Sequence, residues 1–212
     1  TISNLYAIGD KKVGGLIGIL KAGEIHDVSI QSAVETKSLG GGVVGMNREG
    51  VIDTVSVRSV CSGKSNIGGI CGVNNGKVLN SEFKGILKGE KNIGGIAGVS
   101  HQKILNCYTH QTEGTTKGLQ GENYIGGIVG SSLNSEIHFC LSLMFAENKE
   151  IGGIAGRTRS STITNCYNPF HSLCNTKVSY HQKQLIENNE LQKLPDKFKE
   201  IIEDKQDYII VH

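Results

Sequence analysis

The chain of 212 residues carries six cysteines and seven histidines, the side chains best suited to metal or nucleophilic chemistry. Cys166, His171 and Cys174 have the spacing C-x4-H-x2-C. That is three of the four ligands a structural zinc site takes, and no second pair stands near them. A Cys–His nucleophile pair has no local signature, because the histidines are scattered. His26 and His138 share a repeat position several repeats apart and read as solvent-facing strand residues. Carboxylates are the other candidates. A polysaccharide lyase needs clustered carboxylates for calcium and a Lys or Arg base, and a glycoside hydrolase needs paired Asp or Glu across the sugar. Asp27 and Asp53 read as stacked at a turn, a structural position, while Glu82, Glu113, Glu122, Glu136 and Glu147 do not recur in register. With no catalytic constellation, metal set or cofactor motif, the reading is non-catalytic, the alternative being a polysaccharide-acting lyase or hydrolase.

What does recur is glycine. Blocks of the type IGGIAG start at 13, 40, 67, 93, 125 and 151, in steps of 27, 27, 26, 32 and 26 residues. Three glycine columns result: Gly14, Gly41, Gly68, Gly94, Gly126 and Gly152; then Gly15, Gly42, Gly69, Gly95, Gly127 and Gly153; then Gly18, Gly45, Gly72, Gly98, Gly130 and Gly156. Lacking the P-loop Lys-Ser/Thr and occurring six times, the blocks fit periodic geometry better than a phosphate cradle. A second signal follows each block: an aliphatic residue, any residue, Asn or Asp, then a small or sulfur-bearing residue. It supplies the column Asp27, Asp53, Asn80, Asn106 and Asn165, broken only by Phe139. Cys107, Cys140 and Cys166 fill the next position, where Ser81, Thr54 and Val28 stand earlier, and so read as inward-facing free thiols. Side chains stacked in parallel are poorly oriented for a disulfide. Ile2-Ser3-Asn4-Leu5 fits the second signal without a block ahead of it, so the chain is expected to begin in mid-rung as part of something longer.

These columns must be positioned by strands. Each unit has at least three glycines, each costing roughly 1 kcal/mol in a helix relative to alanine. The absence of tryptophan and an aromatic content of 5% also speak against a core of large rings. A period near 26 fits a coil of three strands, four to six residues each, with three corners, stacked in parallel. The hexads, GGxGxD motifs and Leu-x-x-Leu-x-Leu frames of other solenoids are missing. The predicted fold is therefore all-β, a right-handed three-sided parallel β-helix over residues 1–168. Its glycines either follow a turn or let backbones approach, Leu16, Val43, Ile70, Ile96, Ile128 and Ile154 point inward, and the next residue sits at a corner. Asn and Asp bond neighbouring backbone amides.

The pattern GGΦxG followed by Φ-x-N-C-Y, complete in Ile93–Gly98 with Ile104–Tyr108 and in Ile151–Gly156 with Ile163–Tyr167, resembles the GLUG repeat. That family occurs in bacterial surface and secreted proteins, including adhesin-like proteins and non-catalytic regions of immunoglobulin A peptidases. The resemblance implies a cell-surface or secreted module, adhesin-like or a spacer, and carries over no catalytic residue. The zinc-protease signature H-E-x-x-H is absent, so as an accessory region of a metallopeptidase this chain would leave the chemistry to other domains. A host protein or glycan and the neighbouring domains of a larger chain are the implied partners.

Twenty-two basic and 20 acidic residues give a charge of +2 without a basic stripe, which argues against nucleic acid. No 18-residue apolar run argues for membrane insertion, no signal peptide begins the chain, and no Thr-x-Thr ladder suggests ice binding. The 32-residue step coincides with the polar stretch 113–123, an inserted loop in which Glu113, Lys117, Gln120 and Glu122 are the candidate recognition residues. Residues 169–212 read as a partly helical cap over the last rung or, alternatively, a partner-docking helix. A capping box at Ser179-Tyr180-His181-Gln182 precedes one helix, Leu194-Pro195-Asp196 starts a second with Phe198, Ile201 and Ile202 on one face, and Tyr208–Val211 makes a final strand.

Overall fold

The structure, a computed structural model, describes residues 1–115, 117–146, 151–168 and 195–204. Successive repeats lie on top of one another. Ile17 pairs with Val44, Val44 with Cys71, Cys71 with Ala97, Ala97 with Val129, and Val129 with Ala155, all in parallel. That register reproduces the steps between glycine blocks, and the molecule is a parallel β-solenoid of about six turns. One sheet of six strands runs through Ile17–Leu20, Val44–Asn47, Cys71–Asn74, Ala97–Ser100, Val129–Leu133 and Ala155–Arg159. A sheet of 14 strands wraps the remaining sides.

The sides are less equal than the period suggests. Glu24–Gly41 and Val51–Gly68 are single strands of 18 residues rather than runs of four to six. They turn corners without ending because each bend is one residue in the left-handed conformation, repeated rung over rung. Asp27 (φ 53°) lies over Thr54 (φ 52°), and Leu39 (φ 61°) over Asn66 (φ 57°), so the residues on either side stay paired.

Inside the coil, Val43, Ile70, Ile96, Ile128 and Ile154 are fully buried, as the periodicity demands, and only Leu16 of that column is exposed, at 38%. Burying each such side chain contributes about 1.5–3 kcal/mol. Val44, Cys71, Ala97, Val129 and Ala155 were expected at a size-tolerant corner but are fully buried too. Each opens a strand of the six-stranded sheet and faces the core, so the variation in this column is packing variation.

No glycine of the three columns has a positive φ. The glycine corner is therefore a matter of space. A Cβ on Gly69 would stand 2.1 Å from the Gly95 carbonyl oxygen of the next rung, and one on Gly98 would stand 2.5 Å from the backbone of Asn66 across the coil. Only residues without Cβ let the sheets close this tightly.

Two expectations about register are corrected. Ile25 pairs with Ile52 and His26 with Asp53, so Asp27 stacks on Thr54 and Asp53 lies one place outside the Asn/Asp column. Likewise Val55, not Thr54, precedes Ser81 in the column of the cysteines. The cause is one extra turn residue: residues 48–50 separate Asn47 from Val51, whereas only residues 75–76 separate Asn74 from Lys77. The insertion is also narrower than 113–123. Gln111 pairs with Gly85 and Leu119 with Leu87, so residues 112–118 replace Ile86 alone and the regular rung resumes at Leu119.

Past the coil, Asp196–Asp204 forms a helix (α1) started by Pro195, as expected. Phe198 is buried on its inner face with Ile201 beside it. It packs against Tyr108, Leu141, Leu143 and Tyr167 on the flank of the last rungs, and the rest of the expected cap lies outside the described residues. The capping box at 179–182 and the strand at 208–211 lie outside the described residues, as do Glu147, His171 and Cys174.

Candidate functional site

Each rung meets solvent at its left-handed corner, where Asn4, Asp27, Thr54, Asn80, Asn106, Phe139 and Asn165 all have φ between 46° and 59°. Asn and Asp tolerate this conformation, which explains the column better than a hydrogen-bonding requirement would. Their side chains bond one another rather than backbone amides. Asn106 Nδ2 donates to Asn80 Oδ1 at 2.6 Å, and Asn80 Nδ2 donates to Asp53 Oδ1 at 2.9 Å. Asp53 is thus drawn into the ladder from its neighbouring position and also accepts from Thr54 Oγ1 at 3.0 Å. At the far end Phe139 provides no donor, and Asn106 Oδ1 is buried without a hydrogen-bond partner.

Asp27 instead accepts from His26 Nδ1 at 3.0 Å, and this bond, with the charge of Asp27, holds the imidazole above its ordinary pKa. His26 and His138 do share a column, through Asp53, Leu79 and Leu105. His138 is half-buried, its Nδ1 against Thr164 Oγ1. Among the described residues, no three His, Cys, Asp or Glu side chains gather as metal ligands.

The cysteine column packs inward. Cys107, Cys140 and Cys166 are fully buried and free, and each Sγ donates to the carbonyl two residues back, at 3.3, 3.2 and 3.3 Å. Burial pushes the Cys107 and Cys140 thiols well above their usual range and Cys61 up to about 12. A nucleophile or metal ligand must be a thiolate, and these groups remain thiols. Cys61 and Cys71 lie in different sheets, Cys61 within Val51–Gly68 and Cys71 within Cys71–Asn74.

The loop at 112–118 is the main departure from the repeat. Glu113 makes an ion pair of 2.7 Å with Lys84 on the adjacent strand of the stack, and Gln111 Nε2 ties the loop down at Thr115 O, 2.8 Å away. Lys117 also belongs to it. Gln120 and Glu122 do not: Gln120 pairs with Lys88, and the Glu122 amide donates to Glu90 O at 3.1 Å within the regular rung. The four recognition candidates are therefore two loop residues and two stack residues.

The flank under α1 was missed. Two places after the left-handed corner, the outward column changes from Ser29, Ser56 and Glu82 to Tyr108, Leu141 and Tyr167. The Tyr of N-C-Y was the available signal, because an outward aromatic repeated in register needs a cover. Phe198 supplies it, its ring 6.1 Å from that of Tyr108. Comparisons with protein-family models, with curated proteins and with solved structures find no match to this chain. The stack departs from its repeat at two features, the loop and the covered flank.

Proposed function

We propose that this chain is a non-catalytic structural and binding module, an adhesin-like or spacer region of a larger bacterial surface or secreted protein. One observation carries the reading: the residues that recur are consumed in building the stack. Glycines admit neighbouring backbone, the Asn and Asp corner makes a ladder with itself, and the thiols fill the core. Columns fixed by packing cannot change with a ligand, so recognition belongs to outward features that do not repeat, foremost the loop at 112–118. The likeness to GLUG repeats supports the surface setting, and host proteins or glycans are the partners it favours.

A binding screen of the chain against glycans and extracellular proteins, beside a variant lacking residues 113–118, tests this. The deletion returns the rung to its regular length, so the stack should survive it. A specific hit lost in the deletion makes the loop the recognition element. Absence of any hit with the solenoid intact identifies a spacer.

A further inference from the structure

On the broad face that carries the loop, one outward column differs from its neighbours. Gln31, Arg58 and Lys84 run along one side of it, and Glu35, Ser62 and Lys88 along the other. Between these polar columns stand Tyr6, Ala33, Val60 and Ile86, in register over four rungs. Tyr6 is 64% and Val60 45% exposed, whereas Ser59 and Cys61 on either side of Val60 are buried, so the column points to solvent. At about 4.8 Å per rung this apolar stripe is about 14 Å long. It ends at the loop, because residues 112–118 take the place of Ile86 in the next rung. The outward apolar column of Tyr108 and Leu141 is covered by Phe198. Tyr6 and Val60 have no such cover among the described residues, and an exposed apolar stripe with a polar rim marks an interaction surface.

The charges at the rim select the partner. Arg58 and Lys88 stand on opposite sides of Val60 and Ile86, both exposed, and neither has an ion pair among the described residues. Lys84 is already neutralised by Glu113, and Glu82, one column further out, is bonded to Ser56. Glu35 lies at the lower end, on the strand of Ala33. We propose that the stripe binds an extended acidic peptide of about four or five residues, the length that spans it. Its aliphatic or aromatic side chains lie on Val60 and Ile86, and its carboxylates lie beside Arg58 and Lys88. Cations without partners at an apolar surface favour a ligand that brings both anions and apolar groups, and they repel a basic one. A sulfated polysaccharide brings the charge but leaves the stripe in water. This inference rests on the reading of the chain as a binding module, although not on the loop as the recognition element. Removing the loop leaves the stripe in place and frees Lys84 as a third cation.

The test is fluorescence polarisation of the whole chain with labelled Glu-Leu-Asp-Leu-Glu, beside Lys-Leu-Lys-Leu-Lys, Glu-Ser-Asp-Ser-Glu and chondroitin sulfate. The first peptide should bind with a Kd of about 0.1–1 mM, and the other three at least about tenfold more weakly. Val60→Asp, at an exposed position, should keep the thermal midpoint and weaken the acidic peptide about tenfold or more. Arg58→Glu with Lys88→Glu should transfer the preference to the lysine peptide, a reversal that a stripe serving only to brace the rungs would not give. Deletion of residues 113–118 should keep or strengthen binding of the acidic peptide. No binding of that peptide, equal binding of all four probes, binding of chondroitin sulfate alone, or a preference unchanged by charge reversal overturns the proposal. Loss of the peptide in the loop deletion also overturns it and returns recognition to the loop. A loop-dependent hit in the wider screen without peptide binding sinks the stripe alone and leaves the binding module standing.

Discussion

Two of the corners that recur along the stack solve the same problem by opposite means. At the glycine corner the chain keeps ordinary φ values and turns by bringing backbone onto backbone, so that even one methyl group has no place. At the Asn corner the chain bends through a single left-handed residue facing solvent, and Asn, Asp, Thr and Phe all stand there. The first corner is strict in sequence and the second is permissive, although both are equally regular in space. Recurrence of a residue type therefore reports steric exclusion more faithfully than it reports shape.

The sharpest way to break that contrast is to add a methyl group at each corner. Gly95→Ala puts a Cβ 2.1 Å from Gly127 O and 2.7 Å from Thr109 Cγ2, neither of which can retreat without opening the stack. A loss of about 3 kcal/mol or more is expected in urea unfolding, at the upper end of overpacking costs. Asn80→Ala, by comparison, should cost about 1–2 kcal/mol, from the left-handed conformation and two exposed hydrogen bonds. Asn80→Gly should be milder than Asn80→Ala. An Asn80→Ala variant as damaging as Gly95→Ala would erase the distinction between the corners.

Of the same size as the Asn80 change is a pH effect on the inner side. Cys61 is raised from 9.0 to about 12 by burial. Its protonated form is the one the fold favours, so its contribution is fully present below pH 9 and is lost as pH rises toward 12. At pH 10 the loss is about 1.4 kcal/mol from this thiol. Unfolding midpoints measured from pH 7 to 11 should be flat in this respect below 9, and Cys61→Val should make the alkaline fall shallower by this thiol's share, the buried Cys71, Cys107 and Cys140 keeping theirs. The outward corner has no such alkaline group, so Asn80 variants should keep the parent slope.

The period, the parallel stack and the inward aliphatic stripe were legible because six copies average out local noise. What was not legible lay where a single residue decides. The turn at Arg48-Glu49-Gly50 is one residue longer than the turn at Asn75-Gly76, and that slip moved Asp53 and Thr54 by one column. Polarity misled elsewhere. The buried series Asn47, Asn74 and Ser100 is bonded at 3.0 and 3.2 Å inside the six-stranded sheet, yet its changing residue types hid it from a search for identical letters. The flank under α1 needed a contact between Tyr108 and Phe198, ninety residues apart in sequence. No periodicity links such positions, and chemistry alone, an outward aromatic wanting a cover, was the clue.

Phe139→Asn is the smallest change and the most informative about the permissive corner. Phe139 is the one large apolar residue in the left-handed column, with φ 51° and 36% exposure. Its partial burial opposes the change, and against that stands the conformational cost that Asn largely escapes. An amide at this position would continue the chain of bonds already running from Asn106 to Asn80 to Asp53, donating to the buried Asn106 Oδ1 that now has no partner. Ladder and conformation have the same sign, so a gain of about 1 kcal/mol is expected, seen as a higher thermal midpoint. If the variant is instead less stable, Phe139 has a packing role that outweighs ladder and conformation together. The corner would then be selective after all, with its column chosen rung by rung rather than by tolerance of the left-handed bend.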